Sequence, residues 1–172
     1  MNIILFGFKC SGKTHFGKML AQELNRPFID TDERIIEGFS HSLPISQIYR
    51  ILGEKEFRNQ ENVVIQSLAQ NTRSVIALGG GTILNPENVK KLQKTGCLIY
   101  LAASFKTVQQ RIFKKDTPAF IDANDPINSL RTIYDERTKI YESIRAPKID
   151  TDNLDDARII AGLISISLGD TE

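Results

Sequence analysis

An excess of charge of either sign is missing from this chain. Its 172 residues carry 22 lysines and arginines against 21 aspartates and glutamates, a formal net charge of +1. Such a balance gives no bulk attraction to nucleic acid or to an anionic membrane, so neither is expected as the main partner. Cysteine is scarce as well. Cys10 and Cys97 have neither metal-ligand spacing nor the framework of a disulfide-stapled fold, and reduced thiols fit a cytoplasmic setting. No apolar run approaches the roughly 20 residues needed to cross a bilayer, and because Met1 and Asn2 lead straight into a strand pattern no cleavable leader is expected. Internal repeats, low-complexity tracts and linkers are also missing. With 41% apolar residues, one domain spanning residues 1–172 and a sizeable core are expected. Nothing suggests an obligate partner, so a monomer is expected.

What is present is an alternation. Apolar runs at 3–6, 74–78 and 97–102, with weaker ones at 27–29 and 148–150, have the composition of strands buried on both faces. Helical patterns cover about 13–25, 31–38, 44–70 with a break near Gly53, 86–95, 104–115, 126–144 and 154–168. That order predicts an α/β fold, a parallel sheet with helices on both faces. Pro86 marks a helix start after the turn Gly79-Gly80-Gly81. Residues 115–126, with Asp, Asn, Thr and two prolines, form the one long polar connection; a mobile lid and a plain exposed connector are both open.

Gly7-Phe8-Lys9-Cys10-Ser11-Gly12-Lys13-Thr14 fills every fixed position of the phosphate-cradling pattern G-x-x-x-x-G-K-[ST] and follows the run Ile3-Ile4-Leu5-Phe6. In that pattern a curled backbone points amide N–H groups at one anion. Lys13 reaches the terminal phosphates, Thr14 offers a hydroxyl to Mg²⁺, and the helix beginning near Lys13 adds its positive end. An ordinary glycine turn is the competing reading. The buried-strand run before the motif and the amphipathic stretch after it (Phe16, Met19, Leu20, Leu24) favour the phosphate loop.

Asp30-Thr31-Asp32 follows the second strand candidate, which puts two carboxylates at the carboxyl end of the sheet beside that loop. One could hold Mg²⁺ through water and the other could orient or deprotonate an attacking hydroxyl; a helix N-cap is the alternative for either. Glu54, Arg58 and Glu61 share a helix face, where a plain surface pair is also open. Arg137 lies on a stripe with Ile127, Leu130, Tyr134, Tyr141 and Ile144, so its guanidinium must meet an anion or snorkel to the helix edge. Three successive glycines at 79–81 admit a ligand close to the backbone. Two arginines able to grip a carboxylate, a carboxylate able to take a hydroxyl, and glycine amides point to a small substrate bearing an acid and alcohols. The runs at 74–78 and 97–102 do not end in Asp and no Asn-Lys-x-Asp sequence occurs, which weakens motor and GTPase readings and leaves metal support to Thr14 and Asp30.

Taken together, these residues resemble the shikimate kinase family, small P-loop relatives of the nucleoside monophosphate kinases. The likeness rests on residues 7–14, Asp30-Thr31-Asp32, Gly53-Glu54 with Phe57-Arg58 and Glu61, Gly79-Gly80-Gly81, and Glu136-Arg137 with Tyr141, in that order and spacing along nearly the whole chain. It implies a three-layer α/β/α sandwich on a five-stranded parallel sheet in order 2-3-1-4-5, a substrate-binding region about 31–61 and a lid about 112–126. It also implies ATP and Mg²⁺ as cosubstrate and metal, and transfer of the γ-phosphoryl to the 3-hydroxyl of shikimate.

Residue by residue, the resemblance gives the nucleotide Gly7, Lys9, Cys10, Ser11, Gly12, Lys13, Thr14 and His15, with Arg111 and Asn153 near the adenine. Thr14 and Asp30 would serve the metal. Asp32 would act on the hydroxyl, Arg58 and Arg137 would grip the carboxylate, and Phe57, Glu61, Gly79, Gly80 and Gly81 would complete the acceptor site. Two positions depart from the family. Thr117 precedes the lid proline where an arginine is usual, so Lys115 is expected to bring a cation as the lid closes, and Asn153 stands where many relatives have an arginine. A gluconokinase-like hydroxy-acid kinase and a non-catalytic ATP-binding module are the competing readings.

Overall fold

The computed structural model describes residues 1–39, 43–114, 118–152 and 154–169. Five strands, β1 (Asn2–Phe6), β2 (Phe28–Asp30), β3 (Val75–Ala77), β4 (Gly96–Ala102) and β5 (Lys148–Asp150), pair in parallel in the order β2-β3-β1-β4-β5. The weak runs at 27–29 and 148–150 are thus real strands, confined to the sheet edges where a short run suffices. Every residue of β1 is buried, as expected of a central parallel strand with both faces covered.

Its side chains divide by the two-residue period. Ile4 and Phe6 join one apolar cluster with Ile76, Leu98, Tyr100, Leu130 and Tyr141, and Ile3 and Leu5 join the other with Phe16, Leu20, Ile99 and Leu163. The pairing Leu5↔Ala77 and Leu5↔Ile99 keeps these rows level across three strands.

Seven helices cover the sheet among the described residues: α1 (Lys13–Glu23), α2 (Thr31–Phe39), α3 (Ile45–Ser67), α4 (Pro86–Thr95), α5 (Phe105–Phe113), α6 (Pro126–Ser143) and α7 (Asp156–Leu168). Asn85, Ser104, Asp125 and Asp155 cap α4, α5, α6 and α7 by accepting a backbone N–H from the first turn, and Pro86 opens α4 as expected. The break near Gly53 is a kink inside α3, with Gly53 at φ 71°, ψ 168°.

One expectation for α6 needs correction. Leu130 and Tyr141 are fully buried and Tyr134 and Ile144 partly so, but Ile127 is 52% exposed. It belongs to the opening turn of α6, ahead of Leu130, where the buried stripe begins.

Candidate active site

A parallel sheet delivers the carboxyl ends of all its strands to one edge, and the chemistry-bearing segments leave from that edge. The loop 7–12 follows β1, Asp30 ends β2, and the 79–81 turn follows β3. They surround a cavity of about 620 Å³ lined by Lys9, Cys10, Gly12, Lys13, Thr14 and His15 on one side and by Phe57, Arg58, Glu61, Gly80, Gly81 and Arg137 on the other, with Asp30, Asp32 and Arg111 also on its wall. Phosphate loop and paired arginines therefore face a common space.

The loop is built for an anion. α1 begins at Gly12 with no side-chain cap and no acidic residue in its first turn, so its leading N–H groups are left for a ligand. Lys13 is buried, and its ammonium donates to the carbonyls of Gly7 (3.0 Å) and Phe8 (2.8 Å). Burial lowers its pKa to about 8 against the pull of Asp32 and Asp30. Arg111 Nη1 donates to the Cys10 carbonyl at 3.0 Å, bracing the loop from α5. His15 sits at the exposed rim, 2.8 Å from Asp156. Gly7 and Ser11 lie behind the wall rather than on it.

Asp30 and Asp32 make different contacts. Asp30 Oδ1 accepts the backbone N–H of Asp32 at 3.0 Å, so the N-cap reading holds for it. Its other oxygen accepts the Thr14 hydroxyl at 2.7 Å. Asp32 is left facing the cavity, where burial first, then Asp30 and Glu61, push its pKa up to about 6.

On the facing wall, the Arg58 and Glu61 pair is no surface ornament. Arg58 Nη1 donates to Glu61 Oε2 at 2.7 Å, and Glu61, only 2% exposed, takes the Thr82 hydroxyl on its other oxygen at 2.7 Å. Glu54 adds a looser ion pair at 3.6 Å. The guanidinium passes directly over Gly81, and a Cβ there would collide with Nη1. Gly79 is bare for a related reason: a side chain would strike the Asp32 carboxylate, and its N–H instead donates to Thr31 Oγ1 at 2.7 Å. Gly79 thus stands behind Asp32, while Gly80 and Gly81 form the wall expected of all three.

Arg137 neither meets a protein carboxylate nor snorkels away. It is half-buried over Phe120 (4.6 Å to the ring centroid) and Phe8 (5.8 Å), and among the described residues it forms no ion pair. A guanidinium so placed on the cavity wall is able to take a carboxylate. Tyr141, also on α6, donates to the Gly80 carbonyl at 2.6 Å and ties that helix to the turn.

Sequence reasoning missed Ile45, Ser46, Tyr49, Pro118, Ala119 and Phe120 as cavity walls. Tyr49 packs against Phe57 with ring centroids 5.0 Å apart and planes tilted by 60°. Its position four residues before the Gly53 break was the available signal. Lys115 and Asn153 lie outside the described residues.

Comparison with known proteins agrees with this geometry. The family model described as shikimate kinase matches residues 9–166. A shikimate kinase of Caldicellulosiruptor bescii is 35% identical over 167 residues, covering 97% of this chain and 95% of the relative. Among solved structures, the shikimate kinase from Acinetobacter baumannii in complex with shikimate superposes with a TM-score of 0.88 at 28% identity, over 99% of this chain and 94% of that one. The Aquifex aeolicus shikimate kinase gives 0.81 at 29% identity, over 98% and 96%. The family match over residues 9–166 and the relatives' identity along nearly the whole length agree with the fold, and the chain belongs to the shikimate kinase family.

Proposed function

We propose that the protein transfers the γ-phosphoryl of ATP to the 3-hydroxyl of shikimate, giving shikimate 3-phosphate and ADP on the route to chorismate and the aromatic amino acids. Membership of the family makes it a phosphotransferase with ATP as cosubstrate and a small-molecule acceptor. The observation that carries the reading to its residues is the single cavity holding Lys13, Asp32, Arg58 and Arg137. The shikimate bound to the Acinetobacter relative supports the choice of acceptor.

In the reaction the acceptor oxygen forms a bond to the γ-phosphorus as the bond to the β–γ bridging oxygen breaks. ADP leaves with that electron pair and the hydroxyl proton passes toward Asp32. Transfers of this class run through a loose transition state, so positioning outweighs proton removal. Arg58, braced by Glu61, and Arg137 hold the substrate carboxylate, Asp32 orients the hydroxyl, and Lys13 exchanges its carbonyl partners for phosphate oxygens. Cys10 and Gly12, with His15 and Arg111, contact the nucleotide, Lys9 meets the γ-phosphoryl that leaves it rather than the diphosphate that stays, and Gly7 and Ser11 shape the loop from behind. Phe57, Gly80 and Gly81 shape the acceptor pocket, and Gly79 shapes it through Asp32.

Thr14 and Asp30 fit Mg²⁺, an ion that takes one or two protein oxygens and keeps waters and phosphates for the rest. When bound it draws negative charge off the phosphate oxygens. Asn153 near the adenine and Lys115 as a lid cation belong to this reading, and unchanged turnover in Lys115→Ala removes the latter.

The chain is read as one kinase domain, with a substrate-binding region about residues 31–61 and a lid about 112–126. We place it in the cytoplasm as a monomer, without nucleic-acid or membrane partners. Near-neutral net charge supports the exclusion of nucleic acid, and among the described residues no helix is long and apolar enough to cross a membrane.

A coupled ADP-release assay offering shikimate, gluconate and nucleoside monophosphates tests the whole. Release that depends on shikimate is expected. Preference for gluconate moves the protein to the other hydroxy-acid kinases, and ATP binding without acceptor-dependent release makes it a nucleotide-binding module.

A further inference from the structure

We propose that Lys9 is a catalytic residue whose ammonium carries part of the negative charge of the phosphoryl group as it passes from ATP to the acceptor. This rests on the kinase reading above and adds to it a charge that the phosphate-loop pattern, which leaves that position free, does not require.

Three observations converge. The first is position. Lys9 lines the shared cavity, and its backbone lies against Gly80, where an added Cβ would be 3.4 Å from the Lys9 nitrogen. The residue is therefore rooted at the seam between the phosphate loop and the acceptor-side turn. The second is reach. Its charge acts on both Lys13 and Asp32, the former on the nucleotide side and the latter on the acceptor side.

The third is availability. Lys13 is held by two loop carbonyls, Arg111 by the Cys10 carbonyl, Arg58 by Glu61 and Glu54, and Arg137 rests on two aromatic rings. Lys9, half-buried, has no ion pair or side-chain hydrogen bond among the described residues. A lysine withdrawn from water without a partner is costly unless an anion joins it. The anion that visits this seam is the transferring phosphoryl, whose charge spreads over three oxygens as both axial bonds loosen. A preorganised cation there acts where the charge develops. Lys9 stays an ammonium throughout and takes no part in the proton balance.

The test compares Lys9→Met and Lys9→Arg with the wild-type full chain in steady-state kinetics. It also compares calorimetric affinity for ADP alone and for ADP with fluoroaluminate and shikimate, a mimic of the transferring group. Lys9→Met is expected to lower kcat by about 10²–10³-fold, the loss of one preorganised charge. ADP affinity and shikimate KM stay within about threefold, because the contact is made in the transition state. The tightening that fluoroaluminate gives the wild type is expected to disappear in Lys9→Met and return, with most of kcat, in Lys9→Arg. Wild-type kcat and tightening in Lys9→Met overturn the inference. Lost ADP affinity in that variant also overturns it, because the role is then structural. A wild-type protein that turns over no shikimate removes the kinase reading itself and this inference with it, a failure seen before any variant is made.

Discussion

At the scale of single residues, the proposed acceptor grip depends on Glu61, the buried carboxylate that braces Arg58. Glu61 is buried, takes the Thr82 hydroxyl on one oxygen and presents the other to Arg58. Arg58 keeps one orientation because this charge-assisted bond and the bare backbone of Gly81 leave it one channel. Glu61→Gln preserves the shape and removes the charge. It is expected to raise the KM for shikimate about tenfold, in line with the ~1.5–3 kcal/mol of a charged hydrogen bond partly retained by the amide, with a smaller effect on kcat. Steady-state kinetics check the split.

Asp32 gives a pH-dependent counterpart. The fold holds its pKa at about 6 against an ordinary 3.8, so folding favours the protonated carboxyl. That contribution is complete below the ordinary value and is lost as pH rises through the folded one, leaving a net destabilising carboxylate above it. In metal-free protein, Asp32→Asn is expected to raise Tm at pH 8 by several degrees and by much less at pH 4.5. A gain that is equal at the two pH values contradicts this account of the site.

At the scale of elements, α3 is two helices with a hinge. Ile45, Ser46 and Tyr49 precede Gly53 and Phe57, Arg58 and Glu61 follow it, and both groups wall the cavity. Gly53 has φ 71° and ψ 168°, a region that only glycine occupies at ease, and open space where a Cβ would go. The cost of Gly53→Ala is therefore all backbone, about 1–3 kcal/mol. Lower Tm and weaker shikimate binding are expected together, with ADP affinity unchanged; a thermal melt and calorimetry read both.

The break itself was legible, since a glycine inside a helical run weakens the pattern visibly. So was Arg137, because an arginine on an apolar stripe stands out, although Ile127 on the same stripe turned out to face solvent. Phe120 was not legible, because an aromatic on a cavity wall leaves the same trace as one in a core, and for Tyr49 only its nearness to the Gly53 break set it apart. The Glu61–Thr82 bond was hidden for another reason. It joins residues 21 positions apart whose meeting depends on how α3 packs beside the turn after β3.

At the scale of the whole molecule, function follows from sheet topology. All five strands run one way, so phosphate loop, paired aspartates and triple-glycine turn emerge at one edge. α3 and α6 then bring Arg58 and Arg137 to the same opening. The order of the strands came only from family resemblance, because periodicity identifies strands without saying which are neighbours. The account's central claim is that the two guanidinium groups hold an acid opposite the phosphate cradle. Titrating shikimate calorimetrically into wild type, Arg58→Ala and Arg137→Ala tests it most directly. Each variant is predicted to bind shikimate at least about tenfold more weakly, as expected for loss of a charge-assisted contact, while ADP affinity holds. Wild-type shikimate affinity in both variants would contradict the claim.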